Sequence, residues 1–143
     1  MRLKSNMNKT MPDRNIPEES MSNKRMIGSI GEKHAVEFLS KRGYEILERN
    51  FRIGRFGEVD IIAKEGGYLC FIEVKSRSSV FFGTPAEAVS PKKQSYIRKL
   101  AGIYLERYNK PDTNVRFDVV EVIFQKERDN IAIKDINLIK DAF

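Results

Sequence analysis

The sequence is poor in the residues that most often announce a chemistry. It holds one cysteine, Cys70, and one histidine, His34. A single cysteine excludes an intrachain disulfide and fits a cytoplasmic setting better than an oxidising one. The apolar, strand-like run around Cys70 reads as the surroundings of a buried structural thiol. One histidine excludes a zinc site built from several histidines. A Ser-His-Asp arrangement would have to use His34, and no nucleophile motif accompanies it. No apolar run approaches the roughly 20 residues that span a bilayer, so no membrane association is expected. The N-terminus is basic but lacks the apolar core of a secretory signal. There is no internal repeat.

What is present suits one domain with a real core. The chain has 143 residues, of which 41% are hydrophobic and 32% charged. Lys and Arg number 26 against 20 Asp and Glu, a net charge of +6, and the pI is about 9.5. This balance permits an anionic partner such as nucleic acid without proving one.

Residues 1–22 are polar and aperiodic and read as a flexible tail; residues 23–143 read as a single domain. The spacing of Ile27, Gly31, Ala35, Phe38 and Leu39 predicts a helix over Lys24–Arg42, stopped at Gly43. Strands are expected at Tyr44–Arg52, Glu58–Lys64 and Tyr68–Arg77, with a hairpin at Gly66-Gly67. A second helix is expected from Pro91 to about Tyr108, with Ile97, Leu100, Ala101, Tyr104 and Leu105 inward. Val115–Phe124 and Asn130–Leu138 complete the order αβββαββ, a mixed α+β or α/β domain.

Counting outward from Gly66-Gly67 pairs Glu65 with Tyr68, Asp60 with Glu73 and Glu58 with Lys75. By strand alternation Glu58, Asp60, Glu73, Lys75 and Arg77 share one sheet face. Directly opposed side chains lie about 5 Å apart, where like charges repel. Among Val59, Ile61, Ile62, Phe71, Ile72 and Val74, two facing carboxylates need a cation, a proton or an opening to solvent. A Mg²⁺ ion meets that need, since it takes carboxylate and phosphate oxygens together. Lys75 would then reach a phosphate oxygen or a water in the same site. The bland alternative is a solvated sheet face on which Glu58 and Lys75 form an ordinary cross-strand ion pair.

Asp60 followed by Glu73-Val74-Lys75 resembles the PD-(D/E)XK nuclease signature. The likeness extends over roughly residues 25–143. Gly31-Glu32 and the stretches GYEILERNFR, GEVDIIAK, FIEVKSR, FGTPAEAVSPKK and RFDVV resemble the YraN family of uncharacterised bacterial proteins. The resemblance implies a restriction-endonuclease-like core, with a central mixed sheet flanked by helices, close to archaeal Holliday junction resolvases. It assigns Glu32, Asp60, Glu73 and the Val74 carbonyl to a Mg²⁺ or Mn²⁺ ion, and Lys75 to catalysis. Glu32 otherwise reads as a first-turn acid favoured by the helix dipole. Val59 stands where the motif proline would be. Gln94 resembles a glutamine that assists catalysis in related nucleases. Arg116-Phe117-Asp118 also matches the family, and a strand-positioning or ion-pair role is expected for it. A homodimer is a further expectation, because resolvase-like proteins often work as symmetric dimers.

Arg49, Arg52, Arg55, Arg77, Lys92, Lys93, Gln94, Arg98 and Lys99 are candidates for nucleic-acid contact. Phe81 and Phe82 read as base-stacking or wedging residues, or as packing residues. No base-reading motif is present, so backbone or shape recognition of DNA is expected. The leading expectation is an endonuclease acting on structured or branched DNA. The alternatives are a catalytically weak nucleic-acid-binding module of the same fold, and a protein-interaction module whose basic surface is incidental.

Overall fold

Apolar residues fall on both sides of the central strands, and the chain covers each side with one helix. The computed structural model describes residues 21–55, 57–78, 85–110 and 112–143. Its elements are α1 (Met21–Lys41), β1 (Glu45–Arg52), β2 (Glu58–Glu65), β3 (Tyr68–Arg77), a 3₁₀ turn (Pro85–Ala88), α2 (Pro91–Arg107), β4 (Asn114–Glu127) and β5 (Asn130–Ile139). This is the expected order, with the 3₁₀ turn added. Most of the expected tail at residues 1–22 lies outside the described residues, as do Phe81 and Phe82. Among the described residues no helix is long and apolar enough to cross a membrane.

The strands form one mixed sheet in the order β1-β2-β3-β4-β5. Only β3 and β4 run parallel; the crossover between them carries α2. The β2–β3 register is the one counted from the glycines, with Glu65 opposite Tyr68 and Ile61 opposite Ile72. Gly66 adopts φ +60° in this turn, a conformation that costs glycine little. Strand β4 runs three residues beyond its apolar stretch. Gln125, Lys126 and Glu127 pair with Ala132, Ile131 and Asn130, so backbone pairing continues after side-chain burial has ended.

On one face Ala35 and Leu39 of α1 pack against Ile61, Ala63, Cys70, Ile72 and Val122. On the other, Ile97, Leu100, Ala101 and Tyr104 of α2 pack against Phe51, Val59, Ile62, Phe71 and Val119. Leu105 is only partly buried there. Each fully buried aliphatic side chain contributes roughly 1.5–3 kcal/mol. The sheet is therefore covered on both faces, and the solvated-face alternative does not hold for β2 and β3. Gly31 sets the distance of α1: a Cβ there would overlap the Ser76 Oγ of β3.

A buried polar network occupies the hairpin end of the sheet, away from Glu73. Arg116 Nε donates to Asp118 Oδ1 at 2.9 Å, and the Tyr44 hydroxyl donates to Asp118 Oδ2 at 3.1 Å. Arg116 also pairs with Glu65 at 3.0 Å, and the Asp141 amide donates to Asp118 at 2.9 Å. The expected ion-pair role of Arg116 and Asp118 is thus met. It ties α1's exit and the C-terminal turn to β4. Burial beside this network pushes the Cys70 thiol up to about 12, as suits a structural thiol.

Candidate metal centre between two strands

Strands β2 and β3 are paired from the turn to Ile61 and Ile72. One step further, the Val74 amide donates to Asp60 Oδ2 at 2.8 Å. A side-chain oxygen has taken the place of a strand carbonyl, so Asp60 lies between the strands. Side-chain alternation breaks at the same point. Val59 belongs to the α2-side core, yet Ile61, two residues on, belongs to the α1-side core. In β1 the break falls at Asn50, which has φ +54°. Its neighbours Arg49 and Phe51 face Ile61 and Val59, so both strands change phase together.

This phase change distributes the acids over the two sides of Asp60. Glu32 and Glu58 approach from the α1 side. Carboxylate oxygens of Glu32, Glu58 and Asp60 lie within 4.8 Å of one another. Glu58 bonds to Arg52 rather than facing Lys75, which corrects the cross-strand pairing expected from strict alternation. Glu32 lies in the middle of α1, which has no acid in its first turn, so the dipole explanation for it fails. Arg49 approaches Glu32 at 3.9 Å. With the Asn50 amide nitrogen turned toward the acids, it donates to both Glu32 oxygens at 3.0 and 3.2 Å and to Glu58 Oε2 at 3.0 Å.

Glu73 reaches Asp60 from the α2 side. It is 5% exposed. Burial, and then the charge of Asp60, push its carboxyl up to about 8, against the opposing pull of Lys93 and Lys75. Burial likewise raises Asp60, partly offset by the Val74 amide. Glu32 is raised too, by burial first and Asp60 second. Lys75 lies 3.7 Å from Glu73 Oε2, and Lys93 lies 3.8 Å from Oε1. Glu73 Oε1 is buried and makes no hydrogen bond.

Three carboxylates with raised proton affinity, Glu32, Asp60 and Glu73, with Glu58 beside them, are a place where a cation is stabilising. The donors are all oxygen, which suits a hard divalent ion. The orphaned Glu73 oxygen fits the same ion. Among the described residues, neither histidine nor cysteine belongs to the cluster: His34 lies beside Glu37 and Cys70 is in the core.

Among the basic candidates on α2, Lys93 joins the acids, 3.8 Å from Glu73 Oε1. Arg49 and Arg52 engage Glu32 and Glu58 on the α1 side, and Arg55 is exposed. Lys92 lies over the Tyr96 ring, and Arg98 over Phe117 and Phe143. Gln94, Arg98 and Lys99 line an open groove with Pro91 and Ser95. The Gln94 amide donates to the Val89 carbonyl at 2.9 Å. Arg77 is partly buried at the end of β3. The two basic groups thus come from opposite sides of the sheet.

The model of Uncharacterised protein family UPF0102 matches residues 31–122, a span that contains every acid of this centre. The chain belongs to this family. A UPF0102 protein of Acetivibrio thermocellus is 57% identical over 122 residues, covering 85% of this chain and 94% of the relative. One from Caldicellulosiruptor saccharolyticus is 50% identical over 121 residues, covering 85% and 99%. Among solved structures, Pyrococcus furiosus SfsA in complex with Ca²⁺ covers 95% of this chain and 74% of its own, at 15% identity and a TM-score of 0.37. That score is below the level at which a shared fold can be read from it. In this UPF0102 chain three residues of the centre had no place in the expected acid set: Asn50, Glu58 and Lys93. Asn50 carried one signal, an asparagine inside a strand, where it is disfavoured unless the backbone turns left-handed.

Proposed function

We propose that this UPF0102 chain is a metal-dependent phosphodiesterase acting on nucleic acid, with structured or branched DNA as the expected substrate. The observation that carries the reading is Asp60 in the gap between β2 and β3, flanked by Glu73 and by Glu32 with Glu58. Glu32, Asp60, Glu73 and the Val74 carbonyl would hold Mg²⁺ or Mn²⁺. When bound, that ion supplies charge neutralisation at a phosphate and a more acidic water.

The chain's own residues do the rest. Asp60 and Glu73, both held above the ordinary carboxylate range by burial, would serve as ligands once ionised, and the buried surroundings would strengthen their hold on a cation. Lys75 stands beside Glu73 on the same strand, where its ammonium can orient an attacking water or neutralise a phosphate oxygen. Lys92, Arg98 and Lys99 on α2 offer point charges to a phosphate backbone.

The test is a cleavage panel of single strands, duplexes, flaps, four-way junctions and RNA, with Mg²⁺ or Mn²⁺. Wild type is compared with Glu73→Ala and Lys75→Ala. Metal-dependent cutting abolished by either substitution supports the reading. Cutting that survives both substitutions, or tight nucleic-acid binding with no cutting of any substrate, overturns it.

A further inference from the structure

Two cations, not one, attend the buried carboxylate of Glu73. Lys75 is tied to it by the two-residue period of β3. Lys93 has no such tie: it comes from the first turn of α2, where its amide donates to the Ser90 cap at 3.1 Å. Its Nζ stands 3.8 Å from Glu73 Oε1, beyond hydrogen-bond range, and that oxygen has no other bond. The Lys93 side chain is 31% exposed against 6% for Glu73. One end of this ion pair is sealed and the other opens to solvent. Such a contact is cheap to break, and the long lysine stem allows the ammonium to swing outward.

We propose that Lys93 is an exchangeable counter-cation. In the metal-free protein it supplies the positive charge beside Glu73 Oε1. When a divalent ion occupies the Asp60–Glu73 pair, Lys93 is released by charge repulsion and takes a phosphate of the bound strand. The inference rests on the metal-dependent reading of the centre. It couples the two occupants: the metal frees the lysine that the nucleic acid then uses.

This role has a signature of opposite signs. Removing Lys93 removes a competitor for the metal and a partner for the phosphate. A lysine that merely supported the fold would weaken both on removal. A lysine that only bound nucleic acid would leave metal affinity alone. The experiment titrates Mn²⁺ by calorimetry into wild type, Lys93→Gln, Lys93→Ala and Lys93→Arg without nucleic acid. It then follows a fluorescent DNA duplex and four-way junction by anisotropy in Ca²⁺ at several salt concentrations, with circular dichroism as the check on folding.

The neutral variants are expected to bind Mn²⁺ about three- to tenfold more tightly. They are expected to bind DNA about three- to tenfold less tightly, with a salt slope lower by about one. Lys93→Arg is expected to restore most of the DNA affinity. Unchanged or weaker Mn²⁺ binding in the folded neutral variants overturns the proposal. Wild type that binds Mn²⁺ yet cleaves nothing overturns the phosphodiesterase reading and leaves the counter-cation intact. Wild type that binds no Mn²⁺ overturns both.

Discussion

The Val74 amide points at Asp60 Oδ2 at 2.8 Å, where regular pairing would aim it at a carbonyl of β2. This hydrogen bond opens the sheet by one residue. It also anchors the acid on which the centre turns. Asp60→Asn keeps an acceptor for Val74 and removes a negative charge from a crowded cluster. The expected outcome is a metal-free protein more stable by about 0.5–1 kcal/mol, with divalent-ion affinity down by at least about tenfold. Denaturant melts in EDTA and a Mn²⁺ titration check both halves. A variant less stable than wild type would contradict the picture of mutually repelling acids.

Stability should depend on pH with a definite sign. The Glu73 carboxyl is raised from an ordinary 4.5 to about 8 in the folded state. The folded chain therefore holds this proton more tightly than the unfolded one. The resulting stabilisation is complete below about 4.5 and is lost as pH rises through about 8. Asp60 and Glu32 act in the same direction. A bound divalent ion replaces the proton, so the gain in Tm on adding Mn²⁺ should grow between pH 5.5 and pH 8. A gain that is flat or shrinks over that interval would count against the coupled acids.

Asn50 separates backbone from side chain. Its left-handed φ of +54° is tolerated by asparagine and glycine and costs alanine roughly 1 kcal/mol. Asn50→Gly keeps the backbone and loses the amide that serves Glu32 and Glu58. Asn50→Ala loses both. Chemical denaturation should rank wild type above Asn50→Gly and Asn50→Ala lowest. Equal stability of all three would remove the positioning role.

The close approach of α1 rests on Gly31. Gly31→Ala would press a methyl into Ser76 Oγ, an overpacking that costs about 1–3 kcal/mol. It would also shift Glu32, the next residue. Removing the obstacle in Gly31→Ala/Ser76→Gly should recover much of the stability. A double variant no more stable than Gly31→Ala, by denaturant midpoint, would place the strain elsewhere.

Much of this arrangement was legible from the residues, and the exceptions have physical causes. The two glycines at 66 and 67 set the β2–β3 register, so the nearness of Asp60 and Glu73 could be counted. The apolar spacings of α1 and α2 identified their buried faces. Strict alternation through Asp60 puts Glu58 opposite Lys75, whereas Glu58 bonds to Arg52. The break there comes from a hydrogen bond between a side chain and a neighbouring strand, which has no local sequence signature. The sequence places Lys93 only among the nucleic-acid candidates, because its meeting with Glu73 depends on where the crossover docks α2. The apolar pattern ends at Phe124, whereas β4 continues to Glu127, because its last residues pair through backbone alone while their side chains stay polar.

The central claim is that the acids around Asp60 and Glu73 form a divalent-cation site. Calorimetric titration of Mn²⁺ into wild type and Glu73→Gln in the absence of nucleic acid tests it most directly. Saturable binding in wild type, weakened at least about tenfold in a folded Glu73→Gln, is the result predicted. Indistinguishable isotherms, or no binding to either protein, would contradict it.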